Sequence, residues 1–173
     1  MTRLFAFLES RIESRSVTTQ HLLRRYFRRA AATLALAACA GHGFAQQAEL
    51  PRIPLTAGIH VVQAEVANSY ETRATGLMLR KAMASNHGML FVFPTAETQC
   101  MWMRNTLLPL SVAFIDANGV ITNIADMQPQ NDTSHCSSRP APYALEMNQG
   151  WFAAKGLKAG VKLGGIDKAP GPR

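Results

Sequence analysis

Ser111-Val112-Ala113-Phe114-Ile115-Asp116, Ala117-Asn118-Gly119 and Val120-Ile121-Thr122-Asn123-Ile124 read together as one β-hairpin. Two apolar, β-branched runs flank an Asn-Gly pair. Both of those residues accept positive φ, so the chain can reverse within a tight loop and pair with itself. An antiparallel pair at this point makes the surrounding domain strand-based.

Working towards the N-terminus, Cys100–Asn105 reads as a strand that ends before Leu108-Pro109. Met89-Leu90-Phe91-Val92-Phe93 is an unbroken apolar run between Gly88 and Pro94, too short for a helix and suited to a buried strand. Gly58–Ala67, with Val61, Val62, Ala64 and Val66, is the expected first strand. Asn68 or Ser69 can cap a helix over Tyr70–Leu79, with Glu71 in its first turn and Gly76 weakening it. Residues 46–57 carry Pro51 and Pro54 and read as an extended lead-in.

Towards the C-terminus, Met127–Pro142 is a polar, proline-marked surface loop. Tyr143–Met147 is a strand, and Asn148 is placed to cap a short helix over Gln149–Lys155, closed by Gly156 in the left-handed conformation. Val161–Leu163 is the last strand, and the Gly/Pro/Lys tail at 165–173 is expected to be disordered. Six or seven short strands and two short helices, without βαβ alternation, give an α+β class. The expected architecture is one β-rich domain over 58–164, built on a strongly bent sheet or small β-barrel.

Residues 1–45 read as an N-terminal extension and signal peptide. Arg24-Arg25-Tyr26-Phe27-Arg28-Arg29 precedes the apolar run Ala30–Ala38, and Gly43-Phe44-Ala45 supplies small residues for a cut after Ala45. That run is far shorter than the roughly 20 residues of a membrane span. Leu36-Ala37-Ala38-Cys39 also resembles a lipobox, with acylation of Cys39 as the minority alternative. An initiator near Val17 would shorten the unusually long basic region. The expected location is the periplasm, with no transmembrane segment in the mature chain.

The net charge of +7 belongs largely to this leader, which holds seven arginines and two acids. Residues 46–173 hold eleven Lys/Arg and nine Asp/Glu, without a basic cluster. Nucleic acid is therefore not an expected partner. Removing the leader leaves Cys100 and Cys136, an even pair in an oxidising compartment, and a disulfide is expected between them.

Six blocks carry a family resemblance: Gly76-Leu77-Met78-Leu79-Arg80; Gly88–Phe93; Trp102-Met103-Arg104-Asn105-Thr106 with Pro109-Leu110; Phe114-Ile115-Asp116; Tyr143-Ala144-Leu145-Glu146-Met147; and Gly160-Val161-Lys162-Leu163. In this order they resemble the domain of unknown function 192 family (DUF192), over about Ile59–Leu163. The resemblance implies a small, often exported β-rich fold and brings no established reaction. The family usually has acids where this chain has Ser111 and Val161, so a role resting on those carboxylates does not carry over.

The mature chain has His60, His87 and His135, none in a recognisable catalytic motif, and the expected disulfide removes Cys100 as a nucleophile. Glu146 is the acid inside an apolar strand. It should lie on a polar face or be buried with a partner, for which Arg104 is the natural candidate. Trp102, Arg104, Asn105 and Glu146 are thus the expected ligand-binding set, with a structural ion pair as the competing reading. Met101 and Met103 would share one face of a strand and could hold Cu(I), although methionine more commonly fills a core.

These residues favour a non-enzymatic periplasmic accessory or small-ligand-binding domain, monomeric and without a cofactor. Its partner would be a small molecule or an envelope protein. A Cu(I)-handling protein, an envelope interaction module and a hydrolase are the alternatives.

Overall fold

A computed structural model describes residues 49–173. The leader expected at 1–45, with Cys39 and the Ala45 cut, lies outside the described residues. Nine strands are present: β1 (Arg52–Ala57), β2 (His60–Ala67), β3 (His87–Val92), β4 (Cys100–Met101), β5 (Leu110–Ile115), β6 (Ile121–Met127), β7 (His135–Cys136), β8 (Tyr143–Asn148) and β9 (Leu163–Gly164). Two short helices, α1 (Tyr70–Thr75) and α2 (Trp151–Ala154), complete the α+β fold. Among the described residues no helix is long and apolar enough to cross a membrane.

Seven strands form one sheet in the order β6-β5-β8-β3-β2-β1-β9, and β4 and β7 form a separate ribbon. Only β2 and β3 run parallel, joined through α1; every other pair is antiparallel. The sheet curls so that its far edges meet through the chain before β9. The Ile121 amide donates to the Val161 carbonyl (2.9 Å), and the Leu163 amide donates to the Gly119 carbonyl (2.8 Å).

The hairpin forms as β5–β6, but its turn differs from the expected one. Only Gly119 takes positive φ, at 79°. The Asp116 carboxylate supplies the rest, accepting from the amides of Asn118 (2.9 Å) and Val120 (3.0 Å). The register shifts between Phe114 and Ile115, the irregularity that a three-residue loop brings.

Both sheet faces are covered. One face buries Leu55, Val62, Leu90, Ile115, Leu145 and Met147, with Trp151 and Phe152 of α2 packed on them. The other buries Met89, Phe91, Val112, Phe114 and Ala144 beneath Leu77, Met101 and Met103. Alternation along β8 thus sends Leu145 and Met147 to the first face and Ala144 and Glu146 to the second.

Several boundaries depart from expectation. The lead-in at 52–57 is a strand, pairing with β2 from Arg52↔Glu65 to Ala57↔His60. The expected Cys100–Asn105 strand stops at Met101, because the chain turns at Arg104-Asn105, where Asn105 adopts φ 57°. The helix from Tyr70 ends at Thr75 instead of Leu79, broken by Gly76 at φ 48°. Ser69 caps it, its hydroxyl accepting from the Thr72 amide. Asn148 caps nothing; it ends β8 and its amide donates to the Met83 and Ala84 carbonyls, while Gly150 opens α2. The tail is ordered at 166–168 as a 3-10 turn with Ile166 buried, and the Asn68 side chain donates to the Gly171 carbonyl (2.7 Å).

Candidate functional site

Glu146 lies in the centre of β8, between Met89 of β3 and Val112 of β5, and only 4% of it is exposed. Among the described residues no group hydrogen-bonds or pairs with its carboxyl, and burial pushes its pKa up to about 8. Buried carboxylates are normally paired, so an orphan one marks a functional candidate.

Glu146 is among the residues lining an open cleft of about 230 Å³. Tyr70, Arg73 and Leu77 bound it on the α1 side, Met101 and Trp102 on the β4 side, and Phe91 and Phe93 on the sheet side. Arg73 ties α1 down across the parallel pair. Its Nη1 donates to the carbonyls of Asn68 (2.7 Å) and Val92 (3.0 Å), at the C-terminal ends of β2 and β3. Cys100 also reaches the cleft, and its disulfide to Cys136 joins β4 to β7.

The expected residues are brought together only in part. Trp102 and Glu146 share the cleft, whereas Arg104 and Asn105 line a neighbouring hollow with Leu79, Leu107, Gln130 and Asp132. The Arg104–Glu146 pair does not form. Arg104 instead makes a two-pronged contact with Asp132, Nε to Oδ1 at 3.0 Å and Nη2 to Oδ2 at 2.9 Å. That contact holds the exposed Asp132 carboxyl below its usual range. The guanidinium also lies over the Trp102 ring, 4.1 Å from its centroid. Met101 and Met103 are both buried in the apolar cluster on this face. Among the described residues no three His, Cys, Asp or Glu side chains gather as a metal-binding group.

Two features escaped the sequence reading. Glu65 sits in the same cross-strand row as Glu146, with Met89 between them, roughly 10 Å away at a strand spacing of about 4.8 Å. It is buried but paired: Arg80 donates Nη1 to Oε1 (2.6 Å) and Nη2 to Oε2 (2.7 Å), and the Leu50 amide adds 2.9 Å. Burial raises its pKa, but those hydrogen bonds and the charges of Arg80 and Arg52 more than offset it and hold it low. The contrast isolates Glu146 as the unmatched acid of the row.

The second feature is backbone conformation. Leu79, Asn105 and Gln130, the non-glycine residues with positive φ among those described, all line the hollow beside the cleft. The Leu79 amide donates to the Asn105 carbonyl (2.9 Å) and the Gln130 amide to the Thr106 carbonyl (3.0 Å), which fixes these turns. Such conformations cluster at functional sites, where surrounding structure holds them.

Ser111, where the family usually has an acid, serves the fold. Its hydroxyl hydrogen-bonds Asp126 and accepts from the Gly150 amide (2.8 Å), anchoring the start of α2.

The fold and cleft define a small α+β domain with a curled seven-stranded sheet and one orphan buried acid at an open cleft that it shares with a tryptophan. The chain belongs to the DUF192 family, described as "Uncharacterized ACR", which matches residues 53–165. Among solved structures it resembles a Sinorhizobium meliloti 1021 protein provisionally described as a transcription regulator. The two are 36% identical over 65% of this chain and 90% of that one, with a TM-score of 0.61. It also resembles a protein of unknown function from Novosphingobium aromaticivorans DSM 12444. There the identity is 32% over 72% of this chain and 90% of that one, with a TM-score of 0.63. Comparison with curated proteins returned no match.

Proposed function

We propose that this is an exported, non-enzymatic domain that binds a small molecule in the cleft over Glu146. The observation that carries the reading is the buried carboxyl without a partner, at an apolar cleft walled by aromatic rings. A few polar groups converging in an apolar pocket are the usual form of a small-ligand site. Trp102 and Glu146 are its binding residues, and Arg104 and Asn105 shape its rim. Oxidation of Cys100 removes the thiolate that nucleophilic catalysis would need. The disulfide and the leader-like sequence at 1–45 support the periplasm as its location.

The description of the Sinorhizobium protein would imply nucleic-acid contact. In this chain Arg52 and Arg80 face Glu65, and Arg104 faces Asp132, so these cations are already matched by acids. That arrangement favours the small-molecule reading over phosphate-backbone binding.

The test is the mass of the protein purified from its native envelope, compared under native and denaturing conditions. The denaturing mass should match a chain cut after Ala45 and lacking two hydrogens for the disulfide. The native mass should carry an excess that disappears in Ala74→Trp, which fills the cleft from an exposed position of α1. A native mass without excess would overturn the ligand reading, and a full-length cytoplasmic chain would overturn export.

A further inference from the structure

We infer that the cleft takes a small organic ammonium ion, an amine whose N–H groups meet the Glu146 carboxylate while its apolar body lies among the aromatic rings. This rests on the cleft being a ligand site and adds the chemistry of the ligand. A carboxylate without internal donors, in apolar surroundings, is a strong acceptor for a charged N–H group. The walls point the same way. Tyr70, Phe91, Phe93 and Trp102 contribute rings whose electron-rich faces attract cations. Trp102 already serves a cation, since Arg104 stacks on it at 4.1 Å.

The other charged groups sharpen the choice. The strands flanking Glu146 place Met89 and Val112 beside it, neither of them titratable. Glu65, further along the row, is matched by Arg80 and Arg52, and Arg104 is matched by Asp132. From α1 come Tyr70 and Arg73, and Arg73 is the one cation among the lining residues. Its repulsion directs an ammonium group away from α1 and towards Glu146. An anionic ligand would oppose ionisation of Glu146 and would find Arg73 already donating to the Asn68 and Val92 carbonyls. The volume, about 230 Å³, lies below the roughly 300–1,000 Å³ usual for larger ligands and suits a compact amine.

Binding moves a proton. Glu146 holds its proton up to about pH 8. Pairing with an ammonium ion requires the carboxylate, so the acid O–H bond breaks, the proton leaves to solvent and the ammonium keeps its own. Affinity therefore rises with pH up to the value at which the acid ionises by itself.

The experiment is calorimetric titration of the oxidised protein with phenethylamine, 2-phenylethanol and phenylacetate, which share a ring and differ in charge. Phenethylamine should bind at least tenfold more tightly than either analogue at pH 8, and at least tenfold more weakly at pH 6 than at pH 8. Across buffers of different ionisation enthalpy at pH 7 it should release about one proton. Glu146→Gln should abolish the preference, leaving phenethylamine no better than 2-phenylethanol, with thermal melting as the check on folding. If that variant does not fold, the proton release and pH profile of the unaltered protein decide. Equal binding of the three probes, unchanged by Glu146→Gln, would overturn the ammonium inference and leave the cleft as a ligand site. Failure of all three to bind would overturn both.

Discussion

Glu146 affects stability as well as ligand choice. In the unfolded chain a glutamate ionises near pH 4.3, but in the fold this one does so at about 8 because it is buried. Between those values the folded state holds a proton that the unfolded state has lost. Stability should therefore fall with rising pH across that window, by about 1.4 kcal/mol per pH unit from this group, and level off above it. Glu65 has the opposite sign and a different window. Its lowered pKa contributes stability above the unfolded value and loses it as pH falls through the folded one. Urea midpoints of the wild type and Glu146→Gln at pH 5, 7 and 9 separate the two. The variant should gain on the wild type at each step, and parallel curves would show that Glu146 ionises normally. The importance of Glu146 was legible because a carboxylate between Leu145 and Met147 breaks an apolar strand. Its isolation was not. The partner expected for it, Arg104, is taken by Asp132, 28 positions further on and beyond the β5–β6 hairpin, in a polar loop whose return path has no local signal. Glu65 gave the same local signal, between Ala64 and Val66, and was overlooked.

At the scale of elements, the position of Glu146 depends on how closely β3 and β8 approach. Gly88 pairs with Met147, and a Cβ on Gly88 would come within 2.5 Å of the Glu146 carbonyl oxygen. Backbone cannot yield as a flexible side chain does, so Gly88→Ala should force the strands apart. Overpacking of this kind typically costs about 1–3 kcal/mol. Chemical unfolding measures that loss, and a variant as stable as the wild type would mean that the pairing tolerates a wider spacing. The hairpin, β3 and β8 were readable because each is a short apolar run between turn residues. β1 was not, since Pro51 and Pro54 signal a break in the ladder. Only Thr56 and Ala57 of β1 pair with β9, so at Pro54 the strand has an open edge where a missing N–H is tolerated. The two-residue strands β4 and β7 are too short to show any periodicity, and only the cysteine count hinted at their pairing.

Over the whole described domain, the sheet is closed by hydrogen bonds, whereas the cleft wall carries a covalent tie in addition to its hydrogen bonds and packing. Curling could be foreseen in general terms from many short strands. Its closure, through the contacts of Gly119 and Ile121 with 161–163, joins segments that no local pattern relates. The ribbon that carries Met101 and Trp102 is different. It contributes two residues from each strand, and Cys100–Cys136 links those strands across 36 positions of sequence. Closing a loop of that length stabilises by about 3–4 kcal/mol in the chain-entropy model. Against the roughly 5–15 kcal/mol of a typical domain this is a large share. Reduction, or the paired change Cys100→Ser with Cys136→Ser, should therefore lower the unfolding free energy by that amount, read as a fall in the urea midpoint, while the two cluster-lined sheet faces persist. The loss should be local before it is global. Trp102, 45% exposed in the oxidised fold, should move further into water and shift its emission to the red, while the buried Trp151 stays put. Phenethylamine affinity should drop in parallel, because Met101 and Trp102 form one wall of the cleft. A reduced protein that keeps both its midpoint and its emission would show that the ribbon is held by packing alone.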